Sequence, residues 1–213
     1  MEIIKGSAKF ILGFDKLEQI ENWWAENPTA PGIAMVGRSN VGKSTLINAL
    51  FGNKTAKTSK TPGRTQKINI FKFEIKGLEG IPFYLYDLPG YGFAEVSRSM
   101  RQNWNVIMDA YLRGLNDKTL IFNLQDARHP NLENDKQFYQ YINPKEIEIF
   151  LIFNKMDKLK KQKERAALNK LKPQLYKEYK LVKQIFFVSA DKKDGLEPLE
   201  QAITGYMDKF TKV

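Results

Sequence analysis

The segment Gly37-Arg38-Ser39-Asn40-Val41-Gly42-Lys43-Ser44 constrains the fold more than any other part of this chain. It fits G-x-x-x-x-G-K-[ST], follows an apolar run at 32–36 and opens a helix expected over 43–51. Glycines at both ends let the backbone curl so that successive N–H groups converge on phosphate oxygens. The helix N-terminus adds unpaired donors and a favourable dipole. Lys43 is then placed to reach β- and γ-phosphates, and Ser44, followed by Thr45, to ligate Mg²⁺. A chance glycine-rich turn is the alternative, and the flanking strand and helix argue against it.

Short β-branched or aromatic runs at 32–36, 68–75, 82–86, 119–124, 147–153 and 184–188 read as strands. Helices are expected over 43–51, 98–114, 132–142, 160–179 and 196–210. Their alternation predicts a three-layer α/β fold, a six-stranded mostly parallel sheet with helices on both faces. Only residues 76–81, around Gly77 and Gly80, separate the second and third strands, so these form an antiparallel hairpin and leave one antiparallel strand at the edge. Residues 30–213 read as one domain, with 1–29 as a flank packed on it. In that flank Trp23 and Trp24 are adjacent, so at least one should sit at a helix margin; Trp104 is expected as a core anchor.

With 213 residues the chain is long enough to bury a core without staples. It has no Cys, which excludes disulfides, thiolate metal sites and a Cys nucleophile, and one His, which excludes a multi-histidine metal site. No apolar run approaches the length of a membrane span and no signal-peptide core is evident, so the expected compartment is the cytoplasm.

Further segments follow strands in order. Asp87-Leu88-Pro89-Gly90 places an Asp at a strand end, suited to the Mg²⁺ shell, and Gly90, whose N–H can meet a γ-phosphate. Loss of that phosphate would free 91–100 to rearrange. Between this segment and the phosphate loop, the polar stretch 58–66 contains Gly63, Arg64, Thr65 and Gln66. Thr65 lies just before a strand and is favoured over Thr61 as a second Mg²⁺ ligand. Asn154-Lys155-Met156-Asp157 leaves the next strand end. Asp157 can accept from both N1–H and the 2-amino group of guanine, donors that adenine lacks on that edge, while Asn154 meets the other edge and the Lys155 stem covers the ring. Val188-Ser189-Ala190 follows the last strand and offers the Ala190 N–H to the guanine carbonyl.

This set resembles the translation-factor-type GTPases, and most closely the EngB (YihA/YsxC-type) family. The matching residues are the phosphate loop, Pro62-Gly63-Arg64-Thr65-Gln66, Asp87-Leu88-Pro89-Gly90-Tyr91-Gly92 and Asp126-Ala127-Arg128-His129-Pro130, and the likeness spans nearly the whole chain. Asn154 stands where many members have Thr. The resemblance implies a P-loop GTPase domain that binds GTP or GDP with Mg²⁺, assists assembly of the large ribosomal subunit and bears on cell division and septation. Lys43, Thr65 and Gly90 are the residues it implies for catalysis, and Ser44, Thr65 and Asp87 for the metal.

Many regulatory GTPases carry Gln directly after this Asp-x-x-Gly segment to orient water; here the position is Tyr91, so intrinsic hydrolysis is expected to be slow and partner-activated. By likeness to some related GTPases, Asn40 is a candidate to hold K⁺ near the phosphates, where it would supply an arginine finger's charge. His129 lies away from the phosphate segments and reads as structural.

The net charge of +10 and a pI near 9.5 favour a polyanionic partner. Basic residues gather between Phe51 and Phe73 (Lys54, Lys57, Lys60, Arg64, Lys67, Lys72) and between Lys155 and Lys183. The first group overlaps the γ-phosphate-sensing segment, so GTP could order a basic surface that docks on ribosomal RNA. A monomer without membrane attachment is expected. The alternatives are a constitutive RNA-binding module whose nucleotide is structural, and a GTPase switch with a non-ribosomal partner.

Overall fold

The computed structural model describes residues 1–52, 55–56, 67–91, 98–142 and 147–211, without the side chains of 98–101. In chain order the elements are β1 (Lys9–Phe14), α1 (Leu17–Glu26), β2 (Gly32–Gly37), α2 (Lys43–Phe51), β3 (Ile68–Phe73), β4 (Phe83–Asp87), α3 (Arg98–Gly114), β5 (Thr119–Asp126), α4 (Glu133–Ile142), β6 (Ile149–Asn154), α5 (Gln162–Glu178), β7 (Val182–Phe187) and α6 (Leu196–Asp208). This is the expected three-layer α/β fold.

The sheet runs β1-β3-β4-β2-β5-β6-β7. Strands β4, β2, β5, β6 and β7 are mutually parallel, whereas β3 is antiparallel to both β4 and β1. The described residues therefore form seven strands, one more than the six expected, and the reversed strand lies one position in from the edge. The added strand is β1, from the N-terminal flank. Its register shifts between Phe10 and Leu12, and Phe10 and Ile11 are both exposed. That break in alternation hides a strand from a period-two reading.

All six residues of β2 are buried. Strands covered on both faces read as continuous apolar runs. Ile33 and Met35 pack on one side with Leu46, Ile47 and Leu50 of α2 and Leu199 and Ile203 of α6. Ala34 and Val36 face the other side, with Ile107, Met108 and Tyr111 of α3, Phe138 of α4 and Leu168 of α5.

Both adjacent tryptophans are buried. Helix α1 fills the space between sheet and α3, so Trp23 packs edge-on to Tyr84 while Trp24 tilts against Tyr86 and Tyr111. Gly114 at the end of α3 makes room, since a Cβ there would lie 1.9 Å from Trp24 Cδ1. Trp104 is half-buried and packs against the core from its margin, its indole N–H donating to Pro89 O.

Candidate functional site

The carboxyl ends of β2, β4, β6 and β7 bring the motif residues to one rim of the sheet. The phosphate loop joins β2 to α2. Gly37 passes so close to β5 that a Cβ would meet Leu124 O at 2.6 Å. Gly42 turns into α2 at φ +96°, and a Cβ there would lie 2.4 Å from Asn154 Nδ2. Only glycine satisfies both the left-handed backbone and that space.

Asp87 ends β4 beside Met35, and its neighbour Leu88 donates N–H to Met35 O at 3.0 Å. The Lys43 ammonium pairs with Asp87 Oδ1, both side chains being largely buried. Gly90 lies flat on the loop, where a Cβ would sit 3.1 Å from Gly37 O and 3.4 Å from Ser39 N. Tyr91 N–H donates to Gly37 O at 3.2 Å, and Trp104 Nε1–H to Pro89 O at 3.4 Å. Ser44 stands in the first turn of α2. The Ser44 hydroxyl and Asp87 carboxylate are hard oxygen donors, which suits Mg²⁺ that takes its other ligands from phosphates and water. Among the described residues no cluster of three His, Cys, Asp or Glu could hold a metal by itself.

At the other end Asn154, 2% exposed, ties two loops together. Its Nδ2 donates to Val41 O at 3.0 Å and its Oδ1 accepts from Ala190 N–H at 3.0 Å. An amide nitrogen has two hydrogens, so one remains for a base edge. Lys155 takes a left-handed backbone (φ +68°) and its ammonium bonds Asn40 O and Asp126 Oδ2. Its stem thus spans from β6 to the phosphate loop. Asp157 accepts from Ser189 Oγ at 2.6 Å, and Lys158 Nζ lies 3.0 Å from its other oxygen. The Ser189 hydrogen bond, opposed by partial desolvation and helped by Lys158, lowers the Asp157 pKa, so it meets a ligand as a carboxylate. Met156 N–H and Val188 N–H complete the floor through Val188 O and Phe153 O.

Tyr91 turns inward. Its ring stacks on Phe138 at 4.6 Å and its hydroxyl donates to Asp135 Oδ1 at 2.8 Å while accepting from Asn123 Nδ2 at 3.0 Å. Asp135 also accepts from Arg38 Nε at 3.1 Å and Leu132 N–H at 3.0 Å. The chain continues through Gln125 to Asn131 N–H. Burial raises the Tyr91 pKa, reinforced by the Asp135 charge, so the phenol stays neutral and cannot act as a base. In this position it does not replace a water-orienting Gln.

Arg38 was expected only as a loop residue, yet it links the phosphate loop to α4. Asp126, Asn123, Gln125 and Asp135 carry no site assignment from the sequence; for Asn123, Gln125 and Asp126 the signal is polarity at strand positions that should be apolar, whereas Asp135 lies in the first turn of α4. Gly63, Arg64, Thr65 and Gln66, with Thr61 and Gly92, lie outside the described residues. His129 is exposed and contributes its carbonyl to Arg38 Nη2 at 2.8 Å.

The protein-family model described as "50S ribosome-binding GTPase" matches residues 32–155. The probable GTP-binding protein EngB of Prosthecochloris aestuarii is 38% identical over 172 residues, 80% of this chain and 85% of that one. The protein of the same name from Cytophaga hutchinsonii is 35% identical over 210 residues, 98% of each. Among solved structures, Era in complex with MgGDPNP and a fragment of 16S ribosomal RNA superposes with TM-score 0.67 at 27% identity. It covers 83% of this chain, which spans only 56% of that one. A probable GTP-binding protein engB superposes at 0.62 and 24% identity over 84% of this chain and 99% of that one, a likeness of fold.

Proposed function

We propose that this chain, which belongs to the EngB family of GTP-binding proteins and is a GTPase, acts in the cytoplasm as a slow, Mg²⁺-dependent switch in assembly of the large ribosomal subunit. Lys43 and the Gly90 N–H hold the γ-phosphate. Ser44 and Thr65 would ligate Mg²⁺ with Asp87 in its outer shell; the ion would neutralise charge on the phosphates. Asp157, Asn154 and the Lys155 stem select guanine, and the Ala190 N–H, which donates to Asn154 Oδ1 here, would turn to the base carbonyl. Asn40 would hold K⁺, which unequal hydrolysis in K⁺ and Na⁺ buffers would support. Asp157→Asn should weaken guanine binding and admit xanthine nucleotides, and unchanged preference would overturn that assignment.

The observation that carries the reading is the seat of Gly90 and Tyr91 on the phosphate loop. A γ-phosphate bound there bears directly on the segment that leads to α3. The ribosomal partner draws support from the matching family's description and from Era, whose solved complex holds ribosomal RNA. The test is co-sedimentation with purified large subunits in GDP, GTP and a non-hydrolysable analogue. Retention well above the GDP level with triphosphate is expected. Equal retention in all states would favour a constitutive RNA-binding module.

A further inference from the structure

Of the chain's 34 basic and 24 acidic residues, eleven basic and three acidic lie between Lys155 and Lys183, so this segment carries +8 of the net +10. It comprises α5 and its flanks, at the β7 edge of the sheet. Of the other basic group, between Phe51 and Phe73, Lys67 and Lys72 are described, beside and within β3.

Helix α5 is two-sided. Leu168 and Leu175 are buried against the domain, and Lys172 places its ammonium 4.6 Å from the centre of the Phe187 ring. On the outer side Lys163, Lys170 and Lys177 are all exposed. They recur every seven residues, so successive lysines stand about 10.5 Å apart along the axis and drift by only about 20° around it. Ala166, Ala167, Pro173 and Gln174, also exposed, lie between them and present no charge.

The two acidic residues of α5 are engaged elsewhere. Glu164 accepts from Lys161 N–H at 3.0 Å and Glu178 from Asn131 Nδ2 at 3.3 Å. Among the described residues no carboxylate pairs with any of the three lysines. Lys160 and Lys161 precede the helix and Lys180 and Lys183 follow it, all exposed. Tyr176 is 42% exposed, an aromatic ring beside Lys177 and one turn from Lys172 and Lys180.

We propose that the outer face of α5 is an RNA-binding surface: the Lys163–Lys170–Lys177 row tracks a phosphate backbone and Tyr176 stacks on an unpaired base. Evenly spaced cations with an exposed ring at their side match the way single-stranded nucleic acid is held. A lipid surface fits less well, because the apolar side of the helix is already buried and none remains to enter a bilayer. The surface lies at the β7 edge of the sheet, with β2, β5 and β6 between β7 and the strand that ends in Asp87, so its affinity is independent of whether GTP or GDP is bound. The proposal rests on the ribosomal reading above and adds a contact that does not switch.

The experiment uses the full chain and a labelled single-stranded oligoribonucleotide, titrated over a range of salt in GDP and in GTP. The triple variant Lys163→Gln/Lys170→Gln/Lys177→Gln should bind at least tenfold more weakly. Its log K against log[salt] slope should shrink by about 2, three phosphate contacts at about 0.7 each. Tyr176→Ala should lose about tenfold in affinity with the slope unchanged. Guanine-nucleotide affinity, unchanged in both variants, reports that they are folded. Wild-type affinity and slope in the triple variant would overturn the proposal, as would a row-dependent affinity for anionic vesicles that exceeds that for RNA. Lost RNA binding by the variants while the wild type fails to sediment with large subunits would leave this surface standing and overturn the ribosomal reading instead.

Discussion

The two faces of the sheet are built on different principles. Toward α2 and α6 the packing is apolar throughout, with Ile33, Met35, Leu85, Phe122 and Ile152 against Leu46, Ile47, Leu199 and Ile203. Toward α3, α4 and α5 an apolar core surrounds a buried hydrogen-bonded chain of Tyr91, Asp135, Asn123 and Gln125. Strand β5 carries both designs in eight residues. Leu120, Phe122 and Leu124 point one way, while Ile121 is followed on the other by Asn123 and Gln125. Dispersion contacts are undirected and tolerate adjustment, whereas a buried polar chain holds only if each member keeps its partners. The apolar face supports the phosphate loop and its helix. The directional face joins Arg38 of the phosphate loop and Tyr91, next to Gly90, to one carboxylate of α4.

Substitutions can break this contrast. Asp135→Ala should have the largest effect, about 3–5 kcal/mol in urea unfolding, since it strands Arg38, the Tyr91 hydroxyl and Leu132 N–H together. Leu46→Ala, fully buried on the opposite face, should cost about 3 kcal/mol by leaving a cavity. If the leucine change proved the costlier, the polar chain would be incidental to stability. Tyr91→Phe keeps the stack on Phe138 and removes only the hydroxyl, so about 1–2 kcal/mol is expected.

The smallest effect separates two carboxylates by sign. Burial tends to raise the Asp126 pKa, but hydrogen bonds from Arg128 and Lys155 overcome it and hold the group well below the ordinary range. Its contribution is therefore fully present above pH about 4 and is lost as pH falls further. Burial raises the Asp135 pKa in spite of Tyr91 and Arg38. Its contribution is present below pH about 4 and declines as pH rises through the folded value. Urea unfolding between pH 3 and 7 should show Asp126→Asn removing an acid-side loss and Asp135→Asn removing a decline toward neutrality. The same sign for both would contradict the assignment.

What the sequence revealed divides along the same line. Helices α2 and α3 were placed with the bounds the structure has, because the phosphate loop punctuates one and a regular apolar stripe marks the other. The sequence ends this strand at residue 124, whereas it runs to Asp126, since the polar pair Gln125 and Asp126 looks like its end. Asp135 falls in the first turn of α4, where an acid is ordinarily solvated, so nothing local marks it as a hub. Strand β1 was lost to its register shift. For the site, residue spacing carried the segments that follow β2, β4, β6 and β7, which the structure brings to one rim, while the stretch 58–66 lies outside the described residues. Spacing did not carry Asn154 as a tie between two loops or Arg38 as a bridge to α4, because those contacts cross 113 and 97 residues of sequence.

Trp104 has a practical consequence. The chain contains three tryptophans; two are packed among tyrosines beneath α3, while the indole of Trp104 bonds the carbonyl of Pro89, one residue from Gly90. It is a built-in optical probe of the strip that carries Pro89 and Gly90. Replacing Trp23 and Trp24 by Phe would leave a protein with a single emitter, and nucleotide exchange could then be followed in a stopped-flow fluorimeter without any label on protein or ligand.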